Sequence, residues 1–499
     1  MIRNHLLTGK LTKRTILYSL LVVLVIKFVF VYFFCQTYFN AYPDRKLGAI
    51  SMASGDHYSY IGAMENYIQS GDYYFLNQKG DTVRAGRAPY YCIPYWAARH
   101  FVSPDAANDV LTIINVIFDA LAVICVAIMA FSLAGYRMFV YYLAIILGSI
   151  SAYVGIWSFM TVADGLSAPA FMIGIYLFWK AFRSPGNNWK ILFLSSLFFS
   201  WTILLRPYLA IIVAFFAVYY LFRKKVSMID AMKLFAICVV PLVILLAPWV
   251  IRNYKLFGRI IPFQQDKYAG YNYSPSELES RQMMGILGED GTTYWDYRAM
   301  ASYFHPGTYQ QSIFKYPEYL MKDTTVMKEI ESIRLDFINN YDHRTAEQET
   351  ALVERMKNLG SVYKKEYPGR YYIINNIKNV KIFWAGHSGS YNFPITTTGV
   401  NRIVAIANKI LQSILYYMVL IFGTIGLWRI KKYDRTGYML LTPIVALTLI
   451  FPLYFKFFEA RYSLPFYYPC LIGLCLFIYT IVQKLPFYKK AIQVQPEHS

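Results

Sequence analysis

The chain has 499 residues, 57% hydrophobic and only 16% charged, with a formal net charge of +20 and a mean hydropathy of +0.34. A soluble domain of this length does not run so low in charge, and the basic excess forms no clustered stripe of the kind nucleic acid asks for, so no nucleic-acid partner is expected. Six cysteines without a CxxC pair or zinc spacing exclude a zinc module or a dithiol redox motif.

Apolar runs near 20 residues, the length that crosses a bilayer, recur from end to end. In order they cover 16–38, 108–134, 138–160, 162–180, 190–205, 207–222, 230–251, 403–428, 437–455 and 462–483. The stretch 190–222 is one long run broken at Arg206-Pro207 and reads as a tight hairpin of two spans. The first run follows a basic start, but it is too long for a signal-peptide core and lacks a small-residue cleavage site. It reads as a retained span.

Lysine and arginine set the orientation. Lys10, Lys13 and Arg14 precede the first span. Arg137, then Lys180, Arg183 and Lys190, then Arg223, Lys224 and Lys225, then Arg429, Lys431, Lys432 and Arg435 fill the alternate short loops. These loops and the tail with Lys484, Lys489 and Lys490 are expected in the cytoplasm, with both termini. The long segments 39–107 and 252–402 then lie outside. The expected fold is an all-α polytopic membrane protein of about ten transmembrane helices, with a long first outer loop and an outer domain that is α or mixed α/β. A membrane module (1–251, including outer loop 39–107) precedes an extracytoplasmic domain (252–402). The last three spans and a short cytoplasmic tail follow (403–499).

In the first outer loop, Tyr58, Ile61, Met64 and Ile68 recur at three to four residues, so 57–69 reads as a short amphipathic surface helix ending at Ser70-Gly71. Asp56 stands at its N-terminus, either as a cap for the helix dipole or as a chemical group. Arg84 and Arg87 precede Pro89, Tyr90 and Pro94; they read as solvated surface charges or as a phosphate grip beside interfacial aromatics. Helical stretches are expected around 323–340 and 344–358. His387, near membrane re-entry, reads as structural. Cys35 and Cys92 both fall on the outer side, where a disulfide between them is open.

Two charges fall inside spans. Lys27 is about eleven residues from the inner end of the first span and Asp119 about eleven from the outer end of the second. Running in opposite directions they reach the same depth. Intramembrane charges are costly and usually paired, so a structural Lys27–Asp119 ion pair is expected, with Asn115 one turn away.

The remaining candidates fall on one side of this topology: Asp56, Arg84, Arg87, Asp164, Arg206, Arg252 and Arg461 all land at or beyond the outer ends of spans. A carboxylate there can accept a proton from an attacking hydroxyl or amine. Outer arginines run against the inside preference, and a lipid-linked phosphate at headgroup level gives them a reason.

GDHYSYIGAMENYIQSGDYYF, the Arg87-Ala88-Pro89-Tyr90 stretch, LLRPYL, PWVIRNYKLFG and EARYSLPFYYP together resemble the GT-C superfamily of membrane glycosyltransferases. That family includes the protein O-mannosyltransferases and the lipid A aminoarabinose transferases. The resemblance implies a polyprenyl-phosphate-linked sugar as donor and transfer on the outer face of a bacterial inner membrane, by one inverting displacement without a metal or other cofactor. It implies Asp56 as general base, and Asp164 as a second acidic residue. His57 stands where relatives often carry Glu, with a role in tuning Asp56, in acceptor binding or in neither. Arg206, Arg252 and Arg461 match the family's carrier-phosphate arginines; Arg84, Arg87 and Tyr90 complete the expected substrate-binding set. The acceptor is a cell-envelope glycan, a glycolipid or a protein. Tyr294-Trp295-Asp296-Tyr297 also resembles an oligosaccharyltransferase motif, without its flanking residues. The alternatives are a polymerase or ligase using a diphosphate-linked donor, and a lipid-linked sugar flippase or transporter, which would place its charges near the midplane and repeat its halves.

Overall fold

The computed structural model describes residues 10–76, 80, 82–184, 188–224, 227–263, 274–295, 315–339, 344–385 and 400–485. His387, Asp296 and Tyr297 lie outside the described residues. The chain divides into two units, one built from 1–271, 388–444 and 464–499, the other from 272–387 and 445–463.

The first unit opens with α1 (Lys13–Ala41), capped by the Thr12 hydroxyl, which accepts from the Thr15 amide. The long loop that follows carries a π turn (Tyr58–Gly62) running into α2 (Ala63–Ser70), a two-residue hairpin β1 (Phe75–Leu76) and β2 (Thr82–Val83), and α3 (Ile93–Arg99). Gly71, at φ 77°, ends α2 where the sequence puts the stop. Next come α4 (Pro104–Leu133), α5 (Met138–Ile150) and α6 (Ala152–Phe159), the last two forming an apolar pair bent by 46°. They are followed by α7 (Asp164–Arg183), α8 (Trp189–Leu205), α9 (Ala210–Lys224) and α10 (Met228–Phe257).

The second unit holds α11 (Pro275–Leu287), α12 (Glu318–Met321), α13 (Thr324–Asn339), α14 (Ala346–Glu366), a π turn (Arg370–Ile374) and α15 (Asn375–Ala385). Capping boxes start α11 (Ser274 with Glu277) and α14 (Thr345 with Gln348). Met284, Ile330, Ile333, Phe337, Met356 and Tyr363 fill its core. Its described residues are helical, so the α form of the outer domain holds there. The chain closes with α16 (Val400–Ile430), α17 (Thr436–Thr448) with its π extension to Phe455, and α18 (Leu464–Val482).

Among the described residues seven helices are long and apolar enough to cross a membrane, eight if the bent pair is one span. The segments 189–205 and 207–222, read from the sequence as a hairpin of two spans, form shorter apolar helices joined by a turn at Pro207–Leu209. Facing glycines let α16 and α18 meet backbone to backbone: a Cβ on Gly426 or Gly473 would strike the carbonyl of Gly473 or Gly423. Close approach of this kind packs helices in lipid, where apolar burial alone drives nothing.

The expected intramembrane pair forms. Lys27 Nζ lies 2.9 Å from Asp119 Oδ2, with both side chains at most 2% exposed. Tyr468 donates to Asp119 Oδ1 at 2.7 Å, Lys27 also donates to the Ser151 carbonyl, and Asn115 donates to the Ser158 carbonyl at 2.9 Å. Gln412 spans the bend between α5 and α6, accepting from the Ala152 amide and donating to the Ile150 carbonyl. One amide side chain thus replaces the helix bonds that the bend removes. Cys35 and Cys92 are buried free thiols, so they form no disulfide.

Candidate active site

The first loop is tied to the segment between α6 and α7. Met52 pairs with Met160: its amide donates to the Phe159 carbonyl and its carbonyl accepts from the Thr161 amide. Asp109 on α4 fixes the same loop, accepting from the amides of Ala49 and Ile50 and from the Ser51 hydroxyl. Ser54 donates to the Thr161 carbonyl at 2.8 Å and accepts from the Asp56 amide. Backbone and side chain together bring Asp56 and His57 beside Thr161, three residues ahead of Asp164.

Asp56 precedes the π turn, and its carboxylate faces Arg87. The Arg87 Nη2 to Asp56 Oδ1 distance is 3.0 Å, and both side chains are mostly buried. The same guanidinium donates to Ser59 Oγ and to the Tyr60 hydroxyl, each at 2.9 Å, and lies over the Tyr60 ring. Arg87 is therefore fixed from three sides, and it fixes Asp56 in turn. The π turn adds a residue to the helix start, so Tyr58 swings into the open while Ile61 and Met64 stay buried.

The His57 ring reaches the segment between α6 and α7. Its Nδ1 shares a 2.9 Å hydrogen bond with Thr161 Oγ1. Burial pushes the imidazole down to about 4, which keeps it neutral at pH 7.

Asp164, at the first turn of α7, and Arg206, at the end of α8, pair with each other, and both are buried. Gly165 lets the start of α7 lie against α6, because a Cβ there would meet the Trp157 backbone.

Arg252, near the end of α10, holds the base of the hairpin. Its Nη1 donates to the Arg84 carbonyl and its Nη2 to the Tyr73 carbonyl, each at 2.7 Å. The guanidinium also lies over the rings of Trp249 and Tyr73. Arg84 itself is exposed and bonded to Asp72 at 2.8 Å. Tyr90 donates to the Leu245 carbonyl of α10, and burial pushes its hydroxyl up to about 12. Arg461, in the second unit, pairs with Glu459.

The structure thus joins Asp56 to Arg87, Asp164 to Arg206, and Arg84 to Arg252 through a backbone carbonyl and Asp72. Sequence reasoning missed Thr161, Ser59, Tyr60, Asp72 and Tyr73. Only Thr161 left a signal, as a polar interruption of the apolar run just ahead of Asp164. Among the described residues no group of three or more His, Cys, Asp or Glu side chains is placed to hold a metal ion.

No protein-family model matches the chain, and no curated protein does. Two solved structures show a slight likeness, both of ArnT from Cupriavidus metallidurans. The one bound to undecaprenyl phosphate has a TM-score of 0.38 at 11% identity, over 98% of this chain and 82% of that one. The apo state has a TM-score of 0.37 at 11% identity, over 92% and 76%. Likeness at that level is too slight to assign a shared fold or role.

Proposed function

We propose that the chain is a membrane glycosyltransferase of GT-C type, moving a sugar from a polyprenyl-phosphate carrier to an acceptor on the outer face of the membrane. The observation that carries this reading is the Asp56–Arg87 pair: a mostly buried carboxylate held at 3.0 Å by an arginine that is itself fixed by Ser59 and Tyr60. The acceptor is a cell-envelope glycan, a glycolipid or a protein, presenting a hydroxyl or amine.

In this scheme the acceptor heteroatom attacks the anomeric carbon as its proton passes to the Asp56 carboxylate. The bond from the anomeric carbon to the phosphate oxygen breaks, polyprenyl phosphate leaves with the bonding pair, and the configuration inverts. Arg87, which faces the base, and the exposed Arg84 of the same loop are the cations proposed for the departing phosphate. Arg252 acts by holding the hairpin base and the Arg84 backbone. Asp164 and Arg206 act as a buried pair that ties the start of α7 to the end of α8. His57 positions the loop through Thr161. Tyr90 ties the loop to α10, and Arg461 remains a candidate for the carrier phosphate.

The test is transfer of radiolabelled sugar from polyprenyl-phosphate donors by wild type and Asp56→Asn, with envelope lipid extract as acceptor. The variant is first shown to be folded and to bind carrier lipid. A loss of about a hundredfold or more supports the enzyme and its base together. Transfer that survives in the variant keeps the enzyme and moves the base. Movement of labelled lipid across the bilayer without transfer replaces the reading with a flippase.

A further inference from the structure

The helix over residues 370–385 is polar inside and apolar outside. Its inward row is Asn375, Asn379 and Phe383, all buried. Asn375 donates to the Ile286 carbonyl at 3.1 Å, Asn379 donates to Asn375 Oδ1, and Asn379 Oδ1 accepts from the Gly291 amide at 2.9 Å. On the outward side Ile373, Ile377 and Lys381 follow one another at four-residue spacing, with Tyr372 beside them. Tyr372, Ile373 and Ile377 are 60%, 57% and 61% exposed. Single exposed apolar residues are ordinary on any protein. A helix that buries its asparagines and presents its isoleucines has the polarity of one facing a nonaqueous phase.

The helix is fastened to the end of a membrane-spanning segment. Trp384 Nε1 donates to Thr448 Oγ1 at 2.9 Å and Phe383 packs on Phe451, both on the segment Thr436–Phe455. Lys456, just past that segment, donates to the Tyr371 carbonyl and to Asn376 Oδ1. The last turns of the span expose Leu449, Tyr454 and Phe455. The rim of the outward row is basic: Lys381 is exposed, and the half-exposed Lys378 and Arg370 share the one buried carboxylate of Glu289.

We propose that this helix is interfacial, bedding Tyr372, Ile373 and Ile377 into the lipid surface, with Lys381 and the net-positive cluster of Lys378 and Arg370 around Glu289 at anionic headgroups. The apolar stripe supplies burial at the headgroup boundary, and the cations beside it complement lipid phosphates. The site is independent of the proposed transfer chemistry, and so is its test.

Ile373→Cys and Ile377→Cys, each in the full chain, are labelled with an environment-sensitive fluorophore. Both positions lie on the surface, so the exchange leaves the core untouched. The six native cysteines are buried or half-buried and stay unlabelled. Ser361→Cys, on the exposed side of α14, is the control. In nanodiscs containing anionic lipid, both positions are expected to emit further to the blue than position 361. Lipid-borne doxyl groups are expected to quench them, and aqueous iodide is not. Iodide quenching equal to that at position 361 puts the face in water and overturns the proposal. Shielding from both quenchers means that a second copy or another segment covers the face, and overturns it as well. Equal lipid quenching in zwitterionic and anionic discs overturns the part given to the cations.

Discussion

Arg87 binds Asp56 at 3.0 Å and the Tyr60 hydroxyl at 2.9 Å with the same guanidinium, so the carboxylate's direction is set by the π turn that follows it. If Asp56 is the base, its aim matters more than its charge. Arg87→Gln leaves a polar group but no fixed fork, and misplacement of a catalytic group by about 1 Å costs on the order of a hundredfold. The expected result is a fall in kcat of that order, with KM for the lipid donor moving less. A rise in KM alone, with kcat kept, would make Arg87 a phosphate contact only.

His57 gives a pH signature of stability. Its folded value of about 4 lies below the ordinary value of 6.5, because burial disfavours the imidazolium. Above pH 6.5 neither state binds the proton, and the full contribution is present. As pH falls from 6.5 toward 4 the unfolded chain takes up a proton that the folded chain refuses, so stability drops. The drop is on the order of 3 kcal/mol at most, and less where the ring keeps solvent contact. Wild type should lose thermal stability between pH 7 and 5 more steeply than His57→Gln. Parallel slopes would mean that the imidazole is open to water.

The Lys27–Asp119 pair tests the membrane core. Removing one partner leaves an unpaired charge in lipid, costing about 3–5 kcal/mol, whereas removing both leaves only a packing change. Lys27→Leu and Asp119→Leu should each lower the melting temperature strongly. The double variant should lie well above the sum of the two losses. Additive losses would show that the pair does not act as a unit.

This pair also shows what the sequence made legible. Counting residues from opposite ends of two apolar runs was enough to place Lys27 and Asp119 at one depth, because helix rise is constant. The stop of α2 at Gly71 was readable from Ser70-Gly71, and composition rich in Glu, Lys and Met marked α13 and the first part of α14, which runs on to Glu366. The partners of the loop arginines were not. Arg252 binds the carbonyls of Tyr73 and Arg84, and a backbone acceptor has no signature in side-chain sequence. Asp164 and Arg206 sit 42 residues apart, and nothing in either segment shows that each faces the other. The outward isoleucines of residues 370–385 were equally silent, since an inverted helix and an ordinary one share a period.

Arg252 makes a separable prediction. Its two bonds to carbonyls close the base of the hairpin, and the guanidinium lies over the rings of Trp249 and Tyr73. Lysine keeps the charge but cannot reach both carbonyls with one planar fork. Arg252→Lys should raise amide exchange in residues 73–84 while leaving α4 and α7 protected. Unchanged exchange in the hairpin would show that the strand pairs hold it without the clamp.

Asp164 and Arg206 separate a structural role from a chemical one. Both side chains are buried, and each is the other's partner. If the pair only ties the start of α7 to the end of α8, then Asp164→Asn and Arg206→Gln should each destabilise the protein by about 3–5 kcal/mol, because one buried charge loses its partner. The folded fraction of either variant should then transfer sugar within about tenfold of wild type, well short of the hundredfold or more lost with a general base. Measuring the melting temperature and the transfer rate on the same preparation decides the matter. A stable Asp164→Asn protein without transfer would move the chemistry from Asp56 to Asp164, and would require the pair to open when the donor binds.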